Sequence, residues 1–329
     1  MKAMGITGFG IPESFEEYEL AVPAIKETQV LVEVYASSIN PGDNHLRSGE
    51  LLQSPVGGQF SIQFPYFLGG DVAGVVRGVG TGVQHFKAGD RVMGMVRGGS
   101  YMDQVAADED TLTMIPDNVS FEEAAAAPTV ALTAWQALFE HGKLQPGQRI
   151  LIHGGAGGVG HAAIQLARHY GAYVIATARE HNHGFVLGLG ADEVIDYYSQ
   201  PDFVTRLSAP VDMVLDTAML GKKELETGLP GEFGDYSYDI LKDGGKYISI
   251  TSFGIGTYPG VRNIDSLFFR ARPNRDDLNV ISTHMQEGKL NIHVDHRYPF
   301  TTQGLFEAYR TSEKQPRRGK IVISKEIIE

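Results

Sequence analysis

Apolar residues in the first third of the chain come in short runs broken by glycine, proline and aspartate. The runs are QVLVEVYA (29–36), DVAGVVRGVG (71–80), DRVMGMV (90–96) and TLTMIP (111–116). Runs of that length between turn residues predict strands, and the opening MKAMGITGFG predicts a first strand. The segment LLQSPVGGQFSIQFPYF (51–67), with paired glycines and two prolines, reads as a long functional loop.

From Ser120 the pattern changes. SFEEAAAAPTVALTAWQALFEHG is helical, with Ser120 and Glu123 spaced as a capping box. Pro128 removes an amide donor within it, so two helices are expected. Five apolar strand candidates follow: RILIH (149–153), YVIAT (173–177), EVIDY (193–197), MVLDT (213–217) and KYISI (246–250), with VRNIDSLFF (261–269) as a possible sixth. Helical or loop segments separate them, which argues for a parallel sheet with helices on both faces. The last stretch alternates helices and strands: DDLNVISTHMQEGKL, HRYPF, TTQGLFEAYRTSE and GKIVIS. It is expected to pack back onto the first domain.

The sharpest motif is HGGAGGVGHAA (153–163), which holds Gly155-x-Gly157-x-x-Gly160 between a strand and a helix. Glycines at that spacing let a backbone pass close to a pyrophosphate, and the helix start offers unpaired N–H groups from about Gly158 and Val159. A second glycine group, Gly254-x-Gly256-x-x-x-Gly260, also follows a strand, but it carries Pro259 and leads into RNIDS rather than a helix. A site for NAD would end the second strand in an acid, roughly 20 residues past the first glycine, to hold the ribose hydroxyl. Here the strand ends Ala176-Thr177-Ala178-Arg179. A guanidinium pairs with a 2′-phosphate that a carboxylate would repel, so NADPH (NADP) is expected. The alternative is a surface Arg179 with Glu180 in the acid's role.

Bulk properties narrow the classes. The chain has 329 residues, enough for two domains, with 42% apolar and 21% charged residues. Its net charge of −12 disfavours nucleic acid or an anionic membrane as partner. There is no cysteine, which excludes disulfides, thiolate metal sites and a cysteine nucleophile. No signal-peptide core or membrane-length apolar run occurs, so a cytoplasmic protein is expected. His181-x-His183 and His293-x-x-His296 are closely spaced, but neither has a third ligand in the pattern, and the reading is metal-free.

The sequence resembles the medium-chain dehydrogenase/reductase superfamily, and within it the zinc-independent quinone oxidoreductase (zeta-crystallin-like) group. The resemblance rests on SSINPGDNHLRSG (37–49), LGGDVAGVV (68–76), AGDRVMG (88–94), AAPTVALTAWQAL (126–138), HGGAGGVGHAAIQLA (153–167), LGADEVIDY (189–197), LKDGGKYISI (241–250) and GKIVIS (319–324). It implies an α/β fold in which a Rossmann doubly wound parallel sheet is inserted into a strand-rich GroES-like domain. The GroES-like catalytic domain would span 1–122 and 271–329, and the NADP-binding domain 123–270. In the zinc-dependent branch a cysteine stands in the SSIN region and a Gly-His-Glu triplet at Gly69-Gly70-Asp71. Those ligands are missing here.

The resemblance further implies reduction of quinones or α,β-unsaturated carbonyls, a small-molecule substrate and a homodimer. It sets Asn40 and Asp43 beside the nicotinamide, and His45 where many relatives have tyrosine. Asn40 would donate to a carbonyl or ribose hydroxyl, and Asp43 would fix a neighbouring loop or simply form a turn. His45 either donates a proton or fills the tyrosine's space. Carried over by motif, Gly155, Gly157, Gly158, Val159 and Gly160 meet the pyrophosphate, and Thr177, Arg179, Asn182 and Tyr197 surround the adenosine phosphate. Thr129, Thr133, Thr217, Ser252 and Phe253 are candidates for the nicotinamide half, at or near the carboxyl ends of strands. Phe60, Phe64, Tyr66 and Phe253 are candidates for the pocket wall. Two other readings remain open: an alcohol dehydrogenase that uses zinc, and a non-catalytic NADPH-binding sensor or structural protein.

Overall fold

The computed structural model describes residues 1–55, 57–59, 61–96, 98–196, 199, 207, 209–218, 237–255, 262–314 and 318–326. Tyr197 and Phe60 lie outside them. The chain forms two units, Met1–Leu51 with Phe60–Leu132 and Arg272–Glu329, and Leu52–Gln59 with Thr133–Ala271. The boundary expected at 122/123 falls within a stretch that the contacts group with the first unit.

Along the chain come β1 (Lys2–Ile6), β2 (Phe15–Glu19), β3 (Gln29–Ile39), α1 (Pro41–Ser48), α2 (Glu50–Gln53), β4 (Asp71–Val79), β5 (Arg91–Met95), β6 (Gln104–Asp108) and β7 (Leu112–Met114). Next are α3 (Phe121–Ala126), α4 (Pro128–Trp135), β8 (Arg149–His153), α5 (Gly158–His169), β9 (Tyr173–Thr177), α6 (His183–Gly188), β10 (Glu193–Ile195), β11 (Val211–Asp216), β12 (Leu241–Ser249) and β13 (Asp265–Phe268). The chain closes with α7 (Arg275–Gln286), β14 (Val294–Pro299), α8 (Thr302–Glu313) and β15 (Lys320–Ser324).

In the first unit the strands run in the order β14-β15-β3-β4-β5-β7, with β6 also paired to β3. β3 is the hub. Its first half alternates buried and half-buried residues, as a strand with one wet face must, and its last four residues are all buried. That buried end carries Ser37 and Ser38. It lies antiparallel to β15, with Ser38 opposite Val322 and Ile39 opposite Ile321. Valines from β3, β4 and β5 fill one core. Ile39, Tyr101, Tyr309, Ile321 and Ile323 belong to another.

The second unit holds an all-parallel sheet in the order β10-β9-β8-β11-β12-β13. Strand order reverses between β8 and β11, and in such sheets ligands bind outside the carboxyl ends at that point. α5 buries Ala162, Ala163, Ile164, Leu166 and Ala167.

The expected break at Pro128 is present, with Pro128 opening α4. The Ser120 box caps α3, as Ser120 Oγ accepts the Glu123 N–H at 3.2 Å and the Glu123 carboxylate accepts the Ser120 N–H at 3.0 Å. Three features differ from expectation. After Trp135 the helix widens into a π-helix, Gln136–His141. β12 begins at Leu241 rather than 246, because Leu241 pairs with Val211 before a register shift. The 51–67 loop contains a 3-10 turn at Gly57–Gln59. Among the described residues no helix is long and apolar enough to cross a membrane.

Candidate active site

In the second unit the glycine motif sits at the reversal point. Gly154, just past β8, has φ +71°, a left-handed backbone that a side chain resists. The turn is pinned by three bonds: Gly155 N–H to Thr177 O at 2.9 Å, Gly154 N–H to Thr177 Oγ1 at 3.2 Å, and Gly157 N–H to Gly154 O at 2.9 Å. Gly157 is the N-cap of α5 and supplies no side-chain cap. The first amides of α5, at Gly158, Val159 and Gly160, therefore have no intrahelical acceptor and point outward as anion donors. A Cβ on Gly160 would come within 2.2 Å of Gly154 O, so helix and turn touch backbone to backbone.

The neighbouring candidates divide by what their side chains face. The Thr177 hydroxyl is turned into the sheet, 3.3 Å from His153 Nδ1, and holds the turn rather than offering itself outward. Thr217 Oγ1 likewise donates to His153 O at 2.6 Å. Arg179 is half-buried and precedes a single 3-10 turn, Glu180–Asn182, in which Glu180 is exposed and Asn182 buried. Thr133 is buried in α4. Phe253 meets Phe268 edge-on at 5.0 Å. Ser252 is fully buried, and its Oγ has no partner among the described residues. An orphaned hydroxyl at a strand's carboxyl end invites an outside acceptor or donor.

Two groups here were not anticipated. His153 is buried and bonded to Ser237 Oγ at 2.7 Å, and burial pushes its pKa down to about 4, so it is neutral. Asp216 is buried at the end of β11, where burial raises its pKa despite hydrogen bonds from Ala218 N–H and the Ser249, Thr251 and Tyr247 hydroxyls. An uncapped helix start, a glycine turn with no room for a Cβ at Gly160 and an orphaned serine together fit a dinucleotide.

In the first unit Asn40 and Asp43 open α1. The Asp43 carboxylate accepts the Asn40 N–H at 3.1 Å, as the acidic half of a capping box does. Asn40 is the N-cap, and the Asp43 N–H donates to its backbone O at 3.0 Å. Its side chain faces Asp71 and Lys320: Asn40 Nδ2 donates to Asp71 Oδ2 at 2.8 Å, and Asn40 Oδ1 accepts Lys320 Nζ at 2.5 Å. Asp71 is fully buried at the head of β4. Its Oδ2 also accepts Ser38 Oγ at 2.6 Å, and its Oδ1 accepts Thr129 N–H at 2.8 Å and Thr129 Oγ1 at 2.6 Å. A carboxylate so far from water needs that many donors. Thr129, a nicotinamide candidate, thus spends its proton on Asp71.

Burial pushes Asp43 up to about 6, and the nearby charge of Asp71 adds to this, while the Asn40 N–H, Lys320 and the Gly69 N–H pull the other way. Asp43 also holds Tyr101 and Tyr309 further from ionisation than burial alone does. His45, on the same helix, sets Nδ1 2.9 Å from Glu50 Oε2. Phe64 is half-exposed and packs edge-on against Phe9 at 4.9 Å, and Tyr66 is half-buried.

Sequence reasoning missed Asp71 and Lys320 as partners of Asn40, and Ser38 as a partner of Asp71, although all three stand in motifs that carry the resemblance. The signal was a lone charge at the head of an apolar strand, in DVAGVV and in KIVIS. Isolated charges there need a partner, and each strand supplies the other's.

The fold and this site define a class, a nucleotide-binding parallel sheet combined with a strand-rich unit that carries amide, imidazole and carboxyl groups. Residues 26–129 match the alcohol dehydrogenase GroES-like domain, and residues 189–323 match the family described as zinc-binding dehydrogenase. Among the described residues no group of three or more His, Asp or Glu is arranged to hold a metal ion. The chain is 34% identical over 337 residues to a 2-methylene-furan-3-one reductase of Solanum lycopersicum, covering 98% of this chain and 79% of that one. It is 33% identical to an NADPH-dependent alkenal/one oxidoreductase, chloroplastic, of Arabidopsis thaliana, with the same coverage. The solved quinone oxidoreductase from Coxiella burnetii superposes with a TM-score of 0.82 at 32% identity, over 98% of this chain and 99% of that one. The chain belongs to the medium-chain dehydrogenase/reductase superfamily, in its quinone oxidoreductase group.

Proposed function

We propose that the protein is a zinc-independent, NADPH-dependent reductase of quinones and α,β-unsaturated carbonyls. Bound NADPH supplies the hydride. The amides of Gly158, Val159 and Gly160 receive the pyrophosphate, Gly155 and Gly157 allow its approach, and Arg179 pairs with the 2′-phosphate, with Asn182 beside it. Ser252 Oγ answers the nicotinamide half. As the acceptor is reduced, negative charge gathers on its oxygen. Asn40 gives that oxygen an N–H, and His45, held by Glu50, delivers the proton.

The observation that carries the metal-free reading is the saturation of Asp71. It stands at the zinc branch's Gly-His-Glu position, and Ser38, Asn40 and Thr129 already occupy its oxygens. The reading extends to a cytoplasmic homodimer. β13 supports the dimer, since among the described residues it pairs on one edge only.

The experiment is NADPH consumption by chelator-treated protein, with a naphthoquinone and a simple enone in parallel. Turnover with either acceptor is expected. Activity lost on chelation and restored by zinc would favour the alcohol dehydrogenase reading, and tight NADPH binding with no turnover would favour the sensor. Light scattering checks the dimer, and cell fractionation the compartment.

A further inference from the structure

The amide of Asn40 has no choice of orientation. One side of it faces Lys320 Nζ and the other faces Asp71 Oδ2, at 2.5 and 2.8 Å. An ammonium has only donors and an ionised carboxylate only acceptors. Turning the amide over would set N–H against ammonium and oxygen against carboxylate. The two charges are buried, 4% and 0% exposed, and lie 3.7 Å apart. Lys320 is itself anchored, donating to Ile39 O at 3.0 Å. The carboxylate is anchored by Ser38 and Thr129. The ends of β3, β4 and β15 carry Ser38, Ile39, Asp71 and Lys320, and the start of α4 carries Thr129, so the frame around Asn40 is held from four elements.

Counting donors and acceptors leaves one group over. The amide oxygen is engaged by Lys320 and one N–H by Asp71. The second N–H remains on a side chain that is only half-buried. An N-cap asparagine ordinarily gives its oxygen to the helix start. Here Lys320 donates to that oxygen, and the Asp43 N–H goes to the Asn40 backbone O at 3.0 Å.

We infer that Asp71 and Lys320 are positioning residues that hold Asn40 as a one-way hydrogen-bond donor, selecting substrates that present an acceptor oxygen, a ketone, aldehyde or quinone carbonyl. A substrate hydroxyl that must donate finds no acceptor on this amide. The inference rests on the reductase reading for its substrate class, but the locked amide does not.

The experiment has two arms on the full chain. In the first, protein carrying [15N]asparagine, without cofactor, shows its side-chain amide signals, and the Asn40 pair is identified by its loss in Asn40→Ala. The two Asn40 protons are expected to be split well beyond those of exposed asparagines, and the splitting to shrink in Lys320→Met, where only Asp71 still holds the amide. A wild-type pair already at the exposed position would overturn the locked amide whatever the enzyme reduces.

In the second arm, kcat and KM for a naphthoquinone are measured for Asn40→Ala, Lys320→Met and the double variant. Each single change is expected to lower kcat by about a hundredfold, the scale of one lost oxyanion donor, while the Kd for NADPH stays within about twofold. The double variant should lose no more than the worse single, since Lys320 acts through Asn40. Additive losses would overturn the positioning role. If Lys320→Met does not fold, Asp71→Asn takes its place in both arms, because a neutral amide there removes one of the two charges that fix Asn40. A wild type inactive on every acceptor would sink the reductase reading and leave the first arm to judge the amide alone.

Discussion

At Asp43 the carboxyl group is raised to about 6, first by burial and then by the charge of Asp71. Between its ordinary value and 6 the folded chain therefore holds a proton that the unfolded chain has released. Stability falls as pH rises through that window and loses nothing further from this group above it. Asp43→Asn keeps an oxygen for the Asn40 N–H and cannot ionise. Its melting temperature relative to wild type is expected to rise from about pH 4 to about pH 7. Parallel melts across that range check this, and a flat difference rules it out. His45 gives a second test. His45→Phe keeps the ring's volume and removes the proton, so kcat should drop by about a hundredfold with NADPH affinity unchanged. Glu50→Gln should show a smaller loss of the same kind, because Glu50 only orients the ring through Nδ1. Unchanged kcat in His45→Phe would assign proton delivery to water.

The elements differ in how much of them the sequence disclosed. β8 and β9 run over 149–153 and 173–177, the same residues as the apolar runs, because central parallel strands are buried on both faces and read as unbroken. β12 starts early across LKDGG, where charge and glycine hide a stretch that pairs with β11 at Leu241 and meets β13 only from Lys246. The Asn40 frame was less legible still. Its members lie on β3, β4, β15 and α4 and at the start of α1, and Asn40 and Lys320 are 280 residues apart in sequence. No local pattern reports a pairing of that range. Local capping logic does not reveal it either, since the Asn40–Asp43 spacing reports a capping box and says nothing of Asp71 or Lys320. The glycine turn, in contrast, is local, and its consequence can be tested at the level of one helix. Gly160→Ala puts a methyl group 2.2 Å from Gly154 O, a backbone atom that cannot swing away. α5 must shift, at a cost of about 1–3 kcal/mol, and NADPH affinity should fall with it. Gly184→Ala in α6 meets nothing within 4 Å and should leave both unchanged or slightly improve stability. Chemical denaturation and NADPH titration of the two variants separate close backbone packing from helix propensity.

At the scale of the whole molecule, a net charge of −12 gives a dinucleotide phosphate no long-range attraction, so recognition must come from local donors. Such donors exist at one end of the second unit's sheet, around residues 154–160, Arg179 and Ser252. The opposite, amino-terminal end has a polar cavity of its own, lined by Lys143, Gln148, Asp212, Lys242 and Lys246. Its lysines make it the natural rival for a phosphate ligand, but Lys242 is already paired with Asp212 at 2.6 Å, and Lys246 donates to His141 O at 3.0 Å. The helix amides have no such prior engagement. NADPH at about 100 times its Kd should therefore stabilise the protein by about 2.7 kcal/mol. Hydrogen exchange with and without NADPH tells the two ends apart. Slowed exchange is expected at 154–160, 177–182 and 249–253, with 142–148 and 242–246 unchanged. Protection confined to the lysine-lined end would move the cofactor to the other side of the sheet and remove the physical basis for assigning the glycine turn to it. NADH should protect the same segments more weakly, because Arg179 then has no phosphate to pair with. Equal protection by both cofactors would transfer the adenosine ribose to Glu180.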